Sequence, residues 1–150
     1  MRILTGIVVS AMCLSAQARP VMTVTCNEPN GQRVDFYSGK FEEKQDGFAG
    51  VKPTFIFNAD NPRSATVIFS PASGAKEMGI KDSGAFEAVV VVRNSEQITL
   101  IASTGTHIAQ MYSLFPKKRI GYFTLHKHLP FHDGIASTAT LISKCEFATP

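Results

Sequence analysis

The sequence has only three cysteines in 150 residues, no apolar run long enough to cross a bilayer and no strong excess of one charge. Fifteen Lys and Arg against twelve Asp and Glu leave a formal +3, and the basic residues are scattered apart from Lys117-Lys118-Arg119. That balance excludes nucleic acid as an expected partner. Internal repeats and low-complexity tracts are missing, which excludes solenoids and linkers. Helix signals are scarce as well: only Ala75 to Lys81 reads as a helical turn, and Gly74, Gly79 and Gly84 limit it. No G-x-S-x-G elbow occurs, and Ser70-Pro71-Ala72-Ser73-Gly74 reads as a loop. Glu42-Glu43 and Asp46 fall in a polar stretch that reads as a flexible connection, so no pair of acids is placed across a cleft. No catalytic residues and no cofactor are therefore predicted, and a small hydrolase stays only as an alternative.

What the N-terminus does contain is a short export signal. Met1 and Arg2 give a positive start, Ile3 to Leu14 an apolar run, and Ala16 and Ala18 the small-residue spacing a signal peptidase accepts. Residues 1–18 are thus expected to be a signal peptide and residues 19–150 a single β domain, periplasmic or secreted, with no transmembrane segment after cleavage. Met12 before Cys13 does not fit a lipoprotein signal. Cleavage leaves Cys26 and Cys145 as an even pair, for which a disulfide is the default in an oxidising compartment. A loop of roughly 120 residues is worth about 4 to 5 kcal/mol in the chain-entropy model.

β-branched and aromatic residues cluster in short alternating runs bounded by Gly, Pro, Asn, Asp and Ser. Strands are expected near residues 21–26, 33–37, 53–58, 64–70, 86–93, 97–103, 107–115, 119–127 and 135–147. In the last, Ile135, Ala139, Leu141, Cys145 and Phe147 share one face, and Thr138, Thr140, Lys144 and Glu146 the other. Met22, Val24 and Cys26 alternate likewise, so both cysteines face the core. Ala88 to Val92 reads as a buried run, followed by tight turns at Asn94-Ser95, Ser103 to Thr106 and Pro116 to Lys118. The fold class is all-β: an antiparallel up-and-down barrel or a two-sheet sandwich of about eight strands, its termini tied by one disulfide. Closure removes exposed edges, which favours the barrel.

His126 and His128 are two apart and share a strand face; with His132 or Asp133 from the following loop they form a possible metal cluster. A tight site is not expected, because the loop ligands lie across Pro130 and would have to be ordered on binding. The phenylalanines, among them Phe55, Phe57 and Phe69, read as core, and only a turn aromatic such as Phe131 is a contact candidate. Lys117, Lys118 and Arg119 form a basic turn that could meet an acidic partner.

Ile98-Thr99-Leu100-Ile101 through Thr104-Gly105, with the final Ser143-Lys144-Cys145, resembles small exported single-disulfide β-proteins of unassigned function from Gram-negative bacteria. Ser73-Gly74-Ala75-Lys76 is similar to the start of the Ser-Gly-x-x-Tyr loop of periplasmic inhibitors of c-type lysozyme, and Tyr112 to Lys118 to their Tyr-x-x-x-Thr-Lys-Gly segment. Glu77 stands where that loop has Tyr, and Pro116 and Lys118 where the segment has Thr and Gly. This second resemblance implies a small barrel that inserts a loop into a partner's cleft, with Ser73, Gly74 and Lys76 as contacts. The expectation is a non-catalytic binding or interaction module whose partner is a periplasmic protein, a glycan or a small ligand; a lysozyme inhibitor or a metal-binding protein would be specialised forms.

Overall fold

In the computed structural model of the chain, which describes residues 20–70, 84–103, 107–129 and 134–149, the strongest alternation becomes the longest strand. Four segments run antiparallel in the N-terminal part: β1 (Pro20–Cys26), β2 (Asn30–Tyr37), β3 (Lys40–Gly47) and β4 (Lys52–Asn58). A meander follows through β5 (Ser64–Ser70), β6 (Ala85–Arg93), β7 (Ile98–Ser103), β8 (Ile108–Phe115), β9 (Ile120–Leu129) and β10 (Ile135–Ala148). Each of β4 to β9 pairs with the next, and β1 pairs with both β4 and β10. Those eight strands close a barrel, and the sandwich alternative falls. The helical turn expected at Ala75 to Lys81 lies outside the described residues.

Inward-facing residues fill the barrel. Val24, Phe55, Phe57, Val67, Leu100, Tyr112, Leu114, Phe123 and Leu141 are all essentially inaccessible. Tyr112 is central, with the rings of Phe55 and Phe123 at 5.2 and 5.6 Å in edge contact. Burial pushes its phenol far above the ordinary tyrosine range, and its hydroxyl donates to the side-chain carbonyl of Gln110. Gly121 keeps this packing close: a Cβ would sit 3.0 Å from Cys145 Sγ and 3.1 Å from the Phe123 ring, so those side chains would have to give way by a few tenths of an ångström.

β1 and β2 form one interrupted path along β10. Thr23 to Cys26 pair with Ala148 to Cys145, and Asn30 to Phe36 pair with Ile142 to Ala136. Between them Asn27 to Pro29 bulge, with the Asn27 N–H donating to the Lys144 carbonyl (2.9 Å) and the Ser143 hydroxyl to the Asn27 carbonyl (2.8 Å). The expected disulfide joins Cys26 to Cys145, residues directly opposite one another and 119 apart in sequence. Gly31 then approaches β10 so closely that a Cβ would fall 2.1 Å from the Thr140 carbonyl oxygen, a contact only glycine permits.

Three expectations need correction. The stretch holding Glu42-Glu43 and Asp46 is not a flexible connection but β3, paired with β2 over its whole length. Its turn is Ser38-Gly39 with φ of 49° and 76°, the two left-handed positions of a type I′ hairpin. The valine run is not uniformly buried: Ala88 is inaccessible, whereas Val89, Val91 and Val92 are exposed, because β6 alternates and then bulges between Val90 and Val92. Finally, Phe36 and Phe41 are not core residues, for they lie on the outer face of the β2–β3 hairpin.

Candidate functional site

β10 carries Ala136 and Thr138 outward near its N-terminal end, and cross-strand register sets their neighbours. One row runs Phe41, Phe36, Ala136, His128; the next runs Glu43, Val34, Thr138, His126, Ala109, Ser103. His107 completes the first row, its carbonyl accepting the His128 N–H at 3.0 Å. Paired residues share a face of the sheet. The sizes along these rows make a depression: Ala136 and Thr138 form a low floor, the two phenylalanines rise on one side and the three imidazoles on the other. The resulting groove has a volume of about 590 Å³.

Its walls are held from different sides. Phe36 and Phe41 touch at 4.9 Å between ring centroids, and Phe41 remains 76% exposed at the rim. His107 and His128 meet edge to face at 6.4 Å. Gly134, with φ of 74°, turns the chain into β10 beside the His128 ring; a Cβ there would lie 3.7 Å from Nε2.

Behind the floor, on the opposite face, the buried Asp35 accepts from the Ser137 hydroxyl at 2.7 Å and from Arg33 Nε. Lys44 Nζ stands 3.6 Å away, while Arg33 also reaches Asp46 at 3.4 Å. Burial by itself would raise the Asp35 pKa, but the Ser137 hydroxyl and the Arg33 and Lys44 cations outweigh it and hold the carboxyl below its ordinary range. This network bolts the β2–β3 hairpin, which carries Phe36 and Phe41 of the aromatic wall, to β10, which carries the floor.

Set against protein-family models, curated proteins and solved structures, the chain matches none. Its site is therefore read from geometry alone.

The structure places His126 and His128 together on the groove wall, as their spacing predicts. Their proposed companions His132 and Asp133, and the contact candidate Phe131, lie outside the described residues, as do Ser73, Gly74 and Lys76. Among the described residues no three His, Cys, Asp or Glu side chains are placed to share a metal ion. Lys117, Lys118 and Arg119 sit at the other end of β8 and β9, remote from the groove along those strands. Lys117 pairs there with Glu96, and Arg119 adopts φ 54° while its carbonyl accepts the Cys145 N–H at 2.9 Å. Tyr112, the aromatic of the inhibitor-like segment, is in the barrel core rather than on a surface loop.

Sequence reasoning missed His107, Phe36 and Phe41. The signal for His107 lay in register: once β8 and β9 pair across a short turn, positions whose numbers share one sum stand opposite, and His107 falls opposite His128. The signal for the phenylalanines was their placement around Ser38-Gly39, where an aromatic on each arm of a hairpin packs across the strands.

Proposed function

We propose that this chain is an exported, non-catalytic binding module that receives its partner in the outer groove between the β2–β3 hairpin and β8, β9 and β10. The observation that carries the reading is the division of labour on the outer face: an aromatic wall, a floor of small side chains and an imidazole wall, beside a barrel interior already filled by its own aromatic residues. The groove's volume is within the usual span of small-ligand sites, and such sites combine apolar walls with a few convergent polar groups. Phe36 and Phe41 offer a surface for a flat apolar or ring-shaped group. The histidines, with Ser103 and Thr138, offer donors and acceptors to its polar edge. A sugar ring or a single side chain of a protein partner has this chemistry. The filled interior counts against a lipocalin-like ligand inside the barrel.

An amide NMR titration of the disulfide-bonded chain with monosaccharides, small aromatics and short peptides tests this. Binders should shift Ala109, Ala136 and Thr138, and binding should vanish in Ala136→Leu, whose larger side chain fills the floor. Shifts that fall elsewhere, or binding that survives the filled floor, overturn the reading. Export is supported by the A-x-A signal and by the disulfide, which belongs to an oxidising compartment. Mass spectrometry of the secreted chain should give a start at Arg19 and the loss of two hydrogens; a retained Met1 would contradict it.

A further inference from the structure

β3 ends the sheet: it pairs with β2 on one side, and among the described residues no strand pairs with its other edge. A two-residue I′ turn makes the flanking pair, Tyr37 and Lys40, a hydrogen-bonded one. Alternation then commits Lys40, Glu42, Lys44 and Asp46 to β2. Phe48 continues the series, its N–H donating to the Pro29 carbonyl at 2.9 Å. The backbone groups of Phe41, Glu43 and Gln45 are thereby aimed at the free edge.

An exposed edge is ordinarily protected by charge, and β3 has plenty. Its charges, however, are ordered. Along the face that carries Asp35 they read Lys40, Glu42, Lys44, Asp46, so the strand is plus, minus, plus, minus from end to end. Laid antiparallel on an identical strand about Glu43, this order meets its complement: Lys40 faces Asp46 of the second copy, Glu42 faces Lys44 of the second copy, and the reciprocal pairs repeat. Sliding the register by two residues puts Glu42 on itself and Lys40 on Lys44, or Lys44 on itself and Glu42 on Asp46. Of these three registers only the centred one is attractive, and it makes more opposite-charge pairs than a slide of four residues, which leaves only Lys40 with Glu42 or Lys44 with Asp46. It is also the register in which all three outward-aimed residues pair, Phe41 with Gln45 of the second copy and Glu43 with its own counterpart.

We propose that β3 is a self-recognition edge through which two copies of the chain join into one continuous antiparallel sheet centred on Glu43. The opposite charges fall in the non-hydrogen-bonded pairs, where side chains approach most closely. Glu42 and Lys44 have side chains 57% and 47% exposed, which leaves them accessible across the join although they also contact one another at 2.8 Å. Gln45 of the second copy comes to lie beside Phe41, the most exposed large apolar side chain among the described residues. A two-fold axis normal to the sheet turns both grooves to the same side. One feature opposes the pairing: Glu43 meets itself on the axis, and that repulsion keeps the association weak and reversible.

The test is sedimentation velocity of the disulfide-bonded chain over a wide concentration range. The parent protein should show a concentration-dependent monomer–dimer equilibrium. Glu43→Gln, which removes the repulsion, should tighten it roughly two- to fivefold, while Glu43→Pro should abolish it. The Glu43 N–H points away from β2, so proline at this edge position spares the intramolecular ladder, and circular dichroism and the melting curve check that the fold survives. Lys44→Glu and Glu42→Lys should each be monomeric alone and should form a heterodimer when mixed, since at positions 42 and 44 every Glu then faces a Lys. A Glu43→Gln protein that stays monomeric to millimolar concentration overturns the proposal. So does a dimer that Glu43→Pro leaves intact, or a charge-reversed mixture that fails to associate.

Discussion

Asp35 shows how one side chain on the back of a strand can set the geometry in front. Its carboxylate is buried yet supplied by the Ser137 hydroxyl, the Arg33 guanidinium and, at longer range, the Lys44 ammonium. Because the folded pKa lies below the unfolded value of about 3.9, folding is favoured by this group above that value, and the contribution fades as pH falls through the folded pKa. Asp35→Asn keeps the shape but loses the charge, and should cost on the order of 1 to 3 kcal/mol at neutral pH. The difference between parent and variant in urea unfolding should shrink toward zero in strong acid, where the parent's carboxyl is also neutral. A gap that is the same near pH 7 and near pH 2 would show that the charge has no part in docking β2 on β10.

Among the elements, β10 and β3 are opposite cases of legibility. In β10 apolar and polar residues alternate cleanly, because one face is packed in the barrel and the other is solvated; its strand, its inward Cys145 and the shared face of His126 and His128 on neighbouring β9 could all be read in advance. β3 has the same period in its charges but only Phe41 to mark an apolar face, so a search for hydrophobic alternation passes over it. What makes it a strand is the I′ turn at Ser38-Gly39 and the Arg33, Asp35, Lys44 and Asp46 network, and both are visible only once β2 is known to be its partner. The valine run failed for the converse reason. Five consecutive apolar residues resemble a strand buried on both faces, yet β6 belongs to a barrel whose outer side faces solvent, so Val89 and Val91 alternate outward. The groove was half legible in consequence: His126 and His128 lie on a strand that the sequence announces, whereas the aromatic wall is split between Phe36 on the expected β2 and Phe41 on the concealed β3.

At the scale of the whole molecule, closure of the barrel depends on a short seam. β1 meets β10 over only Thr23 to Cys26 against Ala148 to Cys145, and just beyond Cys26 the chain leaves the barrel to become the β2–β3 hairpin. The disulfide is at that junction. It therefore restrains two things at once, the ring of eight strands and the point from which the hairpin departs. Bridging residues 119 apart also removes much of the unfolded chain's freedom, an effect worth about 4 to 5 kcal/mol by loop entropy alone and comparable to the net stability of a small domain. Replacing both cysteines, in a Cys26→Ser, Cys145→Ser protein, should lower stability by on the order of 2 to 5 kcal/mol, which at ordinary denaturant sensitivity moves the urea midpoint down by roughly 1 to 3 M. The groove lies toward the other end of β10, where the Asp35 bonds and the β8–β9 pairing hold it. The amide shifts of Ala109, Ala136 and Thr138 in the folded double variant should accordingly stay close to those of the parent, while those of β1 move. An unchanged midpoint would mean that packing of Val24, Phe55 and Phe57 closes the barrel without help, and the seam would then not be the weak point of the fold.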